Sequence, residues 1–227
     1  MISIIVPVLD EVRGIEAALG ALQVLRTAGA EVIVADGGSS DATRTLAAPL
    51  ADRVIEAPRG RASQMNAGAR ASRGAVLLFL HADTLLPPEA LDAIALLDVA
   101  GRDWGRFDVA IAGADPLLAL VALLMNARSR ASGIATGDQA IFVRRAAFEA
   151  VGYPAIPLME DVALSKALRR RSPPLCLRER VVTSGRRWER HGTLRTIVLM
   201  WRLRLAYALG ADPHRLARRY DVERTSS

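Results

Sequence analysis

Ile2-Ser3-Ile4-Ile5-Val6-Pro7-Val8-Leu9-Asp10-Glu11 is the stretch on which the fold turns. Ile2–Val8 is a β-branched, apolar run with little polar alternation, the pattern of a strand covered on both faces. Working outward, Asp10 and Glu11 open a helix that carries Ile15, Leu19, Leu22 and Leu25 on one face, and Gly29 stops it. Glu31–Ala35 reads as the second strand and Asp36–Ser40 as a Gly/Ser loop, with Asp41 placed to cap the short helix that follows. Arg53–Ala57 reads as a third strand, Arg61–Ala71 as a helix and Ala75–Leu80 as a fourth, central strand. Pro87 and Pro88 then start a helix running to about Leu97.

Strands alternating with helices imply a parallel sheet with right-handed crossovers. Ligands on such sheets bind beyond the carboxyl ends of the strands. The chemically unusual residues gather at those ends: Pro7 and Glu11, then Asp36, then His81–Thr84. The second half changes character. Trp104–Ala112 reads as a strand, Pro116–Arg130 as a helix, and Ala140–Val143 as a strand after a Gly-rich loop. Glu160–Arg171 is a helix, Leu175–Leu177 and Val181–Thr183 are short strands, and Thr193–Leu209 and Pro213–Tyr220 are helices, the last opened by the Asp212-Pro213 pair. Neither a repeat nor a linker is visible, so the reading is one domain with a C-terminal helical extension.

The chain has 227 residues, 51% of them hydrophobic, which is enough for a substantial core. Its formal charge is +6, and Lys166 is the only lysine, so the excess is arginine. Arginines group at 169–171, at Arg186, Arg187 and Arg190, and between Arg195 and Arg219. A solvated basic surface accounts for such groups; so does an anionic donor, an anionic acceptor or a membrane surface. No helix-turn-helix, zinc-finger or RNA-binding signature is present, which argues against nucleic acid as a partner. A lone cysteine, Cys176, rules out an intrachain disulfide and fits a reducing compartment. With no signal-peptide pattern and no apolar run of membrane-spanning length, the expectation is a soluble cytoplasmic protein, with the inner membrane face as a peripheral location open to it. Apolar residues of Thr193–Tyr220 fall on more than one helical face, so burial against the domain or in a homodimer is expected first, and peripheral membrane contact second.

Three segments carry chemistry. In Asp36-Gly37-Gly38-Ser39-Ser40-Asp41, glycines let the backbone approach a ligand and the strand-end acid can accept a hydrogen bond from a base or ribose; the same residues also suit a tight turn. The dinucleotide pattern G-x-G-x-x-G and the P-loop lysine are absent, which disfavours a dehydrogenase or P-loop ATPase. In Gly60-Arg61-Ala62-Ser63-Gln64-Met65-Asn66-Ala67-Gly68-Ala69, small residues permit close helix–sheet packing, while Arg61 and Asn66 suit contact with a base or phosphate. His81-Ala82-Asp83-Thr84 ends the central strand, where Asp83 is a hard oxygen ligand suited to Mg²⁺ or Mn²⁺ bridging a diphosphate, or else a loop-capping acid.

Together, Ser3–Glu11, Asp36–Thr43 and Leu80–Thr84 resemble the blocks of family 2 glycosyltransferases, in the same order and at plausible spacing. The resemblance implies a Rossmann-like α/β fold of the GT-A type, a nucleotide-diphospho-sugar transferase fold with a mostly parallel central sheet. Residues 1–100 would form the nucleotide-binding half, 101–192 the acceptor-side half and 193–227 the C-terminal helices. It implies that Pro7 and Glu11 line the nucleoside pocket, that Asp36 meets the base, that Arg61 contacts base or phosphate, and that Asp83 is the metal-holding acid of a DxD-like motif. His81 stands where that motif has its first acid. Gly137–Arg145 resembles the acceptor-side strand, bringing Asp138 and Gln139 to the acceptor, and Met159-Glu160-Asp161 resembles the ED motif. Inverting transfer needs a base for the acceptor hydroxyl, and one carboxylate can raise the pKa of another; Asp161 is expected to be that base and Glu160 to position it, with Asp138 as rival. His191 resembles a histidine that joins the metal site in some relatives, and Arg187 and Arg190 would clamp phosphates.

The expected function is therefore inverting transfer of a sugar, hexosyl-type, from a nucleotide sugar, UDP-linked by default, to a hydroxyl of a small-molecule or lipid-linked acceptor. The whole chain resembles a short subfamily associated with radical-SAM genes and arsenosugar biosynthesis. Two other readings are a nucleotidyltransferase of similar sheet topology and a catalytically inactive nucleotide-sugar-binding or membrane-scaffold protein. The first usually has a Gly-rich basic loop after its first strand, where this chain has Pro7–Glu11; intact Asp83 and Asp161 argue against the second.

Overall fold

The computed structural model describes residues 1–225, together with their side chains except at positions 187, 191 and 221–225. Strands β1 (Ile2–Val8), β2 (Glu31–Asp36), β3 (Arg53–Glu56) and β4 (Val76–Phe79) run parallel, with β1 between β2 and β4. Along β1, successive side chains enter different cores. Ile4, Val6 and Val8 meet Ile15 and Leu19 of α1 (Ile15–Ala21) and Leu25 of α2 (Gln23–Thr27), while Ile5 meets Ala62, Met65 and Ala69 of α4 (Arg61–Ala71). Both faces are thus buried, as the continuous apolar run requires. α3 (Thr43–Ala47) leads toward β3, and α5 (Ala90–Ala100) covers the α1 face through Ile94 and Leu97.

The first helix starts later than the sequence pattern suggests. Residues 11–14 form a turn, and Gly14 and Ile15 both donate to the Glu11 carbonyl at 3.0 Å. The cause is long-range. The N–H groups of Asp10, Glu11 and Val12 are taken by Ser39 Oγ, Thr43 Oγ1 and Asp41 Oδ2, at 2.9, 2.8 and 3.2 Å, and Asp10 adopts a left-handed φ of 54°. The strand-end loops after β1 and β2 therefore cap each other, and Asp41 serves this junction.

The sheet continues with strands of both directions, in the order β3-β2-β1-β4-β7-β6-β8-β5. Here β5 is Thr84–Leu85, β6 Trp104–Ala112, β7 Phe142–Arg144 and β8 Leu175–Ser184. β7 lies antiparallel between β4 and β6, and β8 runs parallel to β6. β8 is one strand where two were expected: Arg178 and Arg180 break the apolar pattern, but they project to solvent while pairing with β6 persists. α6 (Leu117–Ser132), α7 (Arg145–Val151), which the sequence reading did not anticipate, and α8 (Glu160–Arg169) complete this half.

The chain ends in α9 (Arg186–His191), α10 (Thr193–Ala208) and α11 (Pro213–Thr225). Leu203 and Leu216 pack against Met159 and Val162 at the head of α8, so one face of the tail is docked on the domain. The other face is open: Leu194, Val198, Trp201, Leu205 and Leu209 form an exposed stripe, and α6, which contacts α10, adds exposed Leu120, Leu123 and Leu124. Among the described residues, no helix is long and apolar enough to cross a membrane.

Close approach of α4 to β1 depends on Gly68, where an added Cβ would lie 2.4 Å from Ile5 Cγ2. Gly68→Val should therefore lower unfolding stability by roughly 1–3 kcal/mol through overpacking. Urea unfolding followed by circular dichroism measures this, and an unchanged midpoint would show that α4 can shift away at no cost.

Candidate active site

One end of the site is built by hydrogen bonds that close the carboxyl ends of the parallel strands. Buried Gln64 donates from Nε2 to the carbonyls of Val8 and Ala35, at 2.7 and 2.8 Å, tying β1 to β2 from α4. The sequence reading passed over Gln64 as part of a small-residue helix. Asp36 is fully buried, and its carboxylate accepts the N–H groups of Gly38 and Ser39, at 3.1 and 3.0 Å, as well as the Ser39 hydroxyl. It shapes the loop that would meet a base. Pro7 is buried in β1 and Glu11 is half-buried beside this loop. Burial first, then the negative charge of Asp83, raises the Glu11 pKa, against the opposing pull of Arg186 and Arg61. Glu11, Asp83 and Arg61 thus share one electrostatic neighbourhood.

A cavity of about 400 Å³ opens beside this neighbourhood. Arg61, His81 and Asp83 line it from the parallel half; Gly137, Asp138, Glu160 and Asp161 line it from the other; Trp188, Met200 and Arg204 close it from the tail. Gly137 joins the two halves. An added Cβ there would lie 2.5 Å from His81 Cε1 and Nε2, so the histidine ring rests on the bare glycine. The Gly137 N–H in turn donates to Asp161 Oδ2 at 2.9 Å. His81 Nδ1 also stands 3.6 Å from Asp138 Oδ1.

The Glu160–Asp161 pair opens α8. Met159, with a left-handed φ of 67°, turns the chain sharply into this helix, and the Val162 N–H donates to Asp161 Oδ1 at 2.7 Å. A non-glycine residue held in that region carries strain, a recurrent feature of functional sites. Glu160 is buried, and that burial, reinforced by Asp161 and opposed by Arg61, pushes its pKa up to about 7. Arg61 lies deep among protein atoms yet keeps open surface because it borders the cavity. Burial alone would lower its pKa; Glu160, Asp138 and Asp161 outweigh that and raise it.

Two candidate ligand residues have their amides engaged within the fold. Asn66 exchanges both amide bonds with the Tyr153 backbone, donating to its carbonyl at 2.9 Å and accepting from its N–H at 3.0 Å, so it has little capacity left for a phosphate. Gln139 is fully buried, accepting from Thr136 N and donating to Asn126 Oδ1, each at 3.3 Å, which fixes the loop rather than meeting an acceptor. Arg190 is exposed and is not among the residues lining the cavity. The side chains of Arg187 and His191 lie outside the described residues. Sequence reasoning also passed over Arg204, which lines the cavity but fell within a helix read as generally basic.

For a divalent cation, the described residues include no cluster of three acid, histidine or cysteine ligands. The exposed Asp83 carboxylate at the strand end still fits one, because Mg²⁺ and Mn²⁺ in such clefts take one or two carboxylates and complete their shell with substrate phosphates and water.

These elements place the molecule among known folds. Residues 3–103 match the model of Glycosyl transferase family 2. The match covers less than half of the chain. No curated protein matches the chain. Among solved structures, Staphylococcus aureus TarS 1–349 in complex with UDP-GlcNAc aligns at 17% identity and TM-score 0.66, covering 81% of this chain and 58% of that one. The Pyrobaculum calidifontis mannosyltransferase PcManGT, in complex with GDP-Man and Mn²⁺, aligns at 20% identity and TM-score 0.60, over 80% of this chain and 56% of that one. Glucosyl-3-phosphoglycerate synthase from Mycobacterium tuberculosis, with Mn²⁺, UDP and phosphoglyceric acid, aligns at 18% identity and TM-score 0.60, over 81% and 69%. The chain thus spans under two thirds of TarS and PcManGT, and at these identities the likeness establishes the fold: it is GT-A. Glu11, Asp36, Arg61 and Asp83 fall inside the matched residues 3–103, whereas Asp138, Glu160 and Asp161 lie beyond them.

Because the folded-state pKa of Glu160 lies above its ordinary value of 4.5, the fold favours the protonated acid. Its stabilising contribution is complete below 4.5 and is lost as pH rises through about 7. Glu160→Gln mimics the protonated form at every pH. Thermal unfolding should show it more stable than the wild type at about pH 8 and close to it at about pH 4. A variant less stable at the higher pH would contradict the shift.

Proposed function

We propose that the protein is an inverting glycosyltransferase, moving a sugar from a nucleotide-diphosphate sugar, most simply a UDP-sugar, to a hydroxyl acceptor. The observation that carries this reading is the single cavity in which Arg61 and Asp83 of the matched residues 3–103 face the Glu160–Asp161 pair. Inversion by one displacement needs a leaving-group side and a base side across the anomeric carbon, and this cavity has a cationic, metal-suited wall and a dicarboxylate wall. The complexes of the structural neighbours, with UDP-GlcNAc, GDP-Man and Mn²⁺, support a nucleotide-sugar donor and a divalent metal. Mg²⁺ or Mn²⁺ held at Asp83, with His191 as its second protein ligand, would offset charge on the departing diphosphate. Arg61 would steady the donor, and Glu11 and the Asp36 loop would hold its nucleoside.

Asp161 takes the acceptor proton. The Gly137 N–H aims its carboxylate, and Glu160 beside it positions the first turn of α8. Resemblance to the radical-SAM-associated, arsenosugar-linked subfamily favours a small soluble acceptor over a polymer. The open stripe Leu194–Val198–Trp201–Leu205–Leu209 is the surface through which a second copy, or an anionic membrane, would be met.

Two paired measurements test the reading. Asp83→Ala should abolish the Mn²⁺-dependent part of UDP affinity in calorimetry; unchanged metal-dependent binding would remove Asp83 from the metal. Asp161→Asn should lower turnover by about two to four orders of magnitude with UDP-sugar affinity nearly intact. A collapse in Glu160→Gln or Asp138→Asn, with near-normal Asp161→Asn, would move the base to that residue.

A further inference from the structure

Most arginines of the fold that sit among other groups are paired, as in Arg26 with Asp52 at 2.9 Å and Arg130 with Asp108 at 2.7 Å. Arg128 of α6 and Arg204 of α10 are not. Neither guanidinium makes a hydrogen bond or ion pair with any described residue, although both residues are half-buried on helices that contact each other. Nε and Nη2 of Arg128 are shut off from solvent without a partner, and Arg204 borders the cavity. Burial, and then the charge of Arg204, pulls the Arg128 pKa down to about 10, with Asp161 and Asp138 opposing. Burial likewise lowers that of Arg204, against the same two acids.

Two desolvated cations close enough for one to act on the other destabilise a fold unless an anion compensates them. A guanidinium fork matches the two oxygens of a carboxylate or phosphate, and two neighbouring forks supply more donors to such a group than one. The charges that act on the pair are Asp161 and Asp138, on the base side, while Glu11 and Asp83 act on one another at the donor end. The subsite therefore belongs to the acceptor.

We propose that Arg128 and Arg204 form an oxyanion subsite, so that the acceptor carries a phosphate or carboxylate near the hydroxyl that receives the sugar. This rests on the glycosyltransferase reading for the word acceptor, but not for the anion itself. Two sources share that chemistry. A soluble phosphorylated or carboxylated molecule would enter from solvent; a lipid headgroup would enter past the apolar outer faces of α6 and α10, whose Leu124 and Trp201 are exposed.

Inorganic phosphate and glycerol phosphate are titrated into the full-length protein by calorimetry, with and without saturating UDP, and binding to phosphatidylcholine vesicles with and without phosphatidic acid is measured by flotation. Wild-type protein should bind a phosphate probe alongside UDP. Arg128→Met and Arg204→Gln should each weaken that binding by about tenfold or more, leaving UDP affinity within about twofold. Arg128→Met should also raise the melting temperature without phosphate and lose the phosphate-dependent rise, a signature that loss of folding cannot mimic. Arg204→Lys, which keeps the charge but not the fork, should fall between. Uptake of glycerol phosphate assigns a soluble anion, and arginine-dependent flotation only with phosphatidic acid assigns a headgroup. Phosphate binding that UDP displaces, that survives both substitutions, or that is absent along with arginine-dependent flotation overturns the subsite. Failure to bind UDP, with arginine-dependent phosphate binding retained, counts against the transferase reading alone.

Discussion

The contact between the bare Cα of Gly137 and the His81 ring is the point at which this molecule becomes one site instead of two half-sites. The parallel strands deliver Arg61 and Asp83 to one wall, and α8 delivers Glu160 and Asp161 to another. Only a residue without a side chain lets the loop between them lie on the end of β4, and the same residue's N–H fixes one oxygen of Asp161. Steric allowance and hydrogen-bond direction thus act through a single position. The left-handed turn at Met159 supplies the matching condition from the other side, bringing the acids to the first turn of their helix.

The electrostatics of the cavity follow from enclosing unlike and like charges together. The charges of Glu160, Asp138, Tyr220 and Asp161 act on Arg61, burial and Asp161 raise the pKa of Glu160, and burial and Asp83 raise that of Glu11. Groups placed this way are far from their ease in water, which is the usual condition of residues that must exchange protons or bind charge. Arg128 and Arg204 feel Asp161 and Asp138 as well, but no described side chain pairs with either guanidinium.

Local patterns were legible where one element decides its own fate. α4 and β6 have the limits that their sequences suggested, and the two-faced burial of β1 was visible in its lack of alternation. What stayed hidden depends on partners far along the chain. The delayed start of α1 comes from Ser39, Asp41 and Thr43, and the antiparallel β7 wedge comes from pairing that no local pattern encodes. The same applies within the site. Arg61, Asp83, Asp138, Glu160 and Asp161 do come to one cavity, but Asn66 and Gln139 spend their amides on backbone and loop. A polar side chain that ties down main chain and one that awaits a ligand look alike in sequence, because the difference is where the unsatisfied groups lie.

Leu203 and Leu216 dock the tail onto Met159 and Val162, the residues on either side of the acid pair. The last helices are therefore a splint on the first turn of α8. Local opening of a protein follows its cooperative units, so loosening of α10 and α11 would release these two acids before it disturbed the parallel sheet, and the two walls of the cavity would lose their order at different rates in the same molecule.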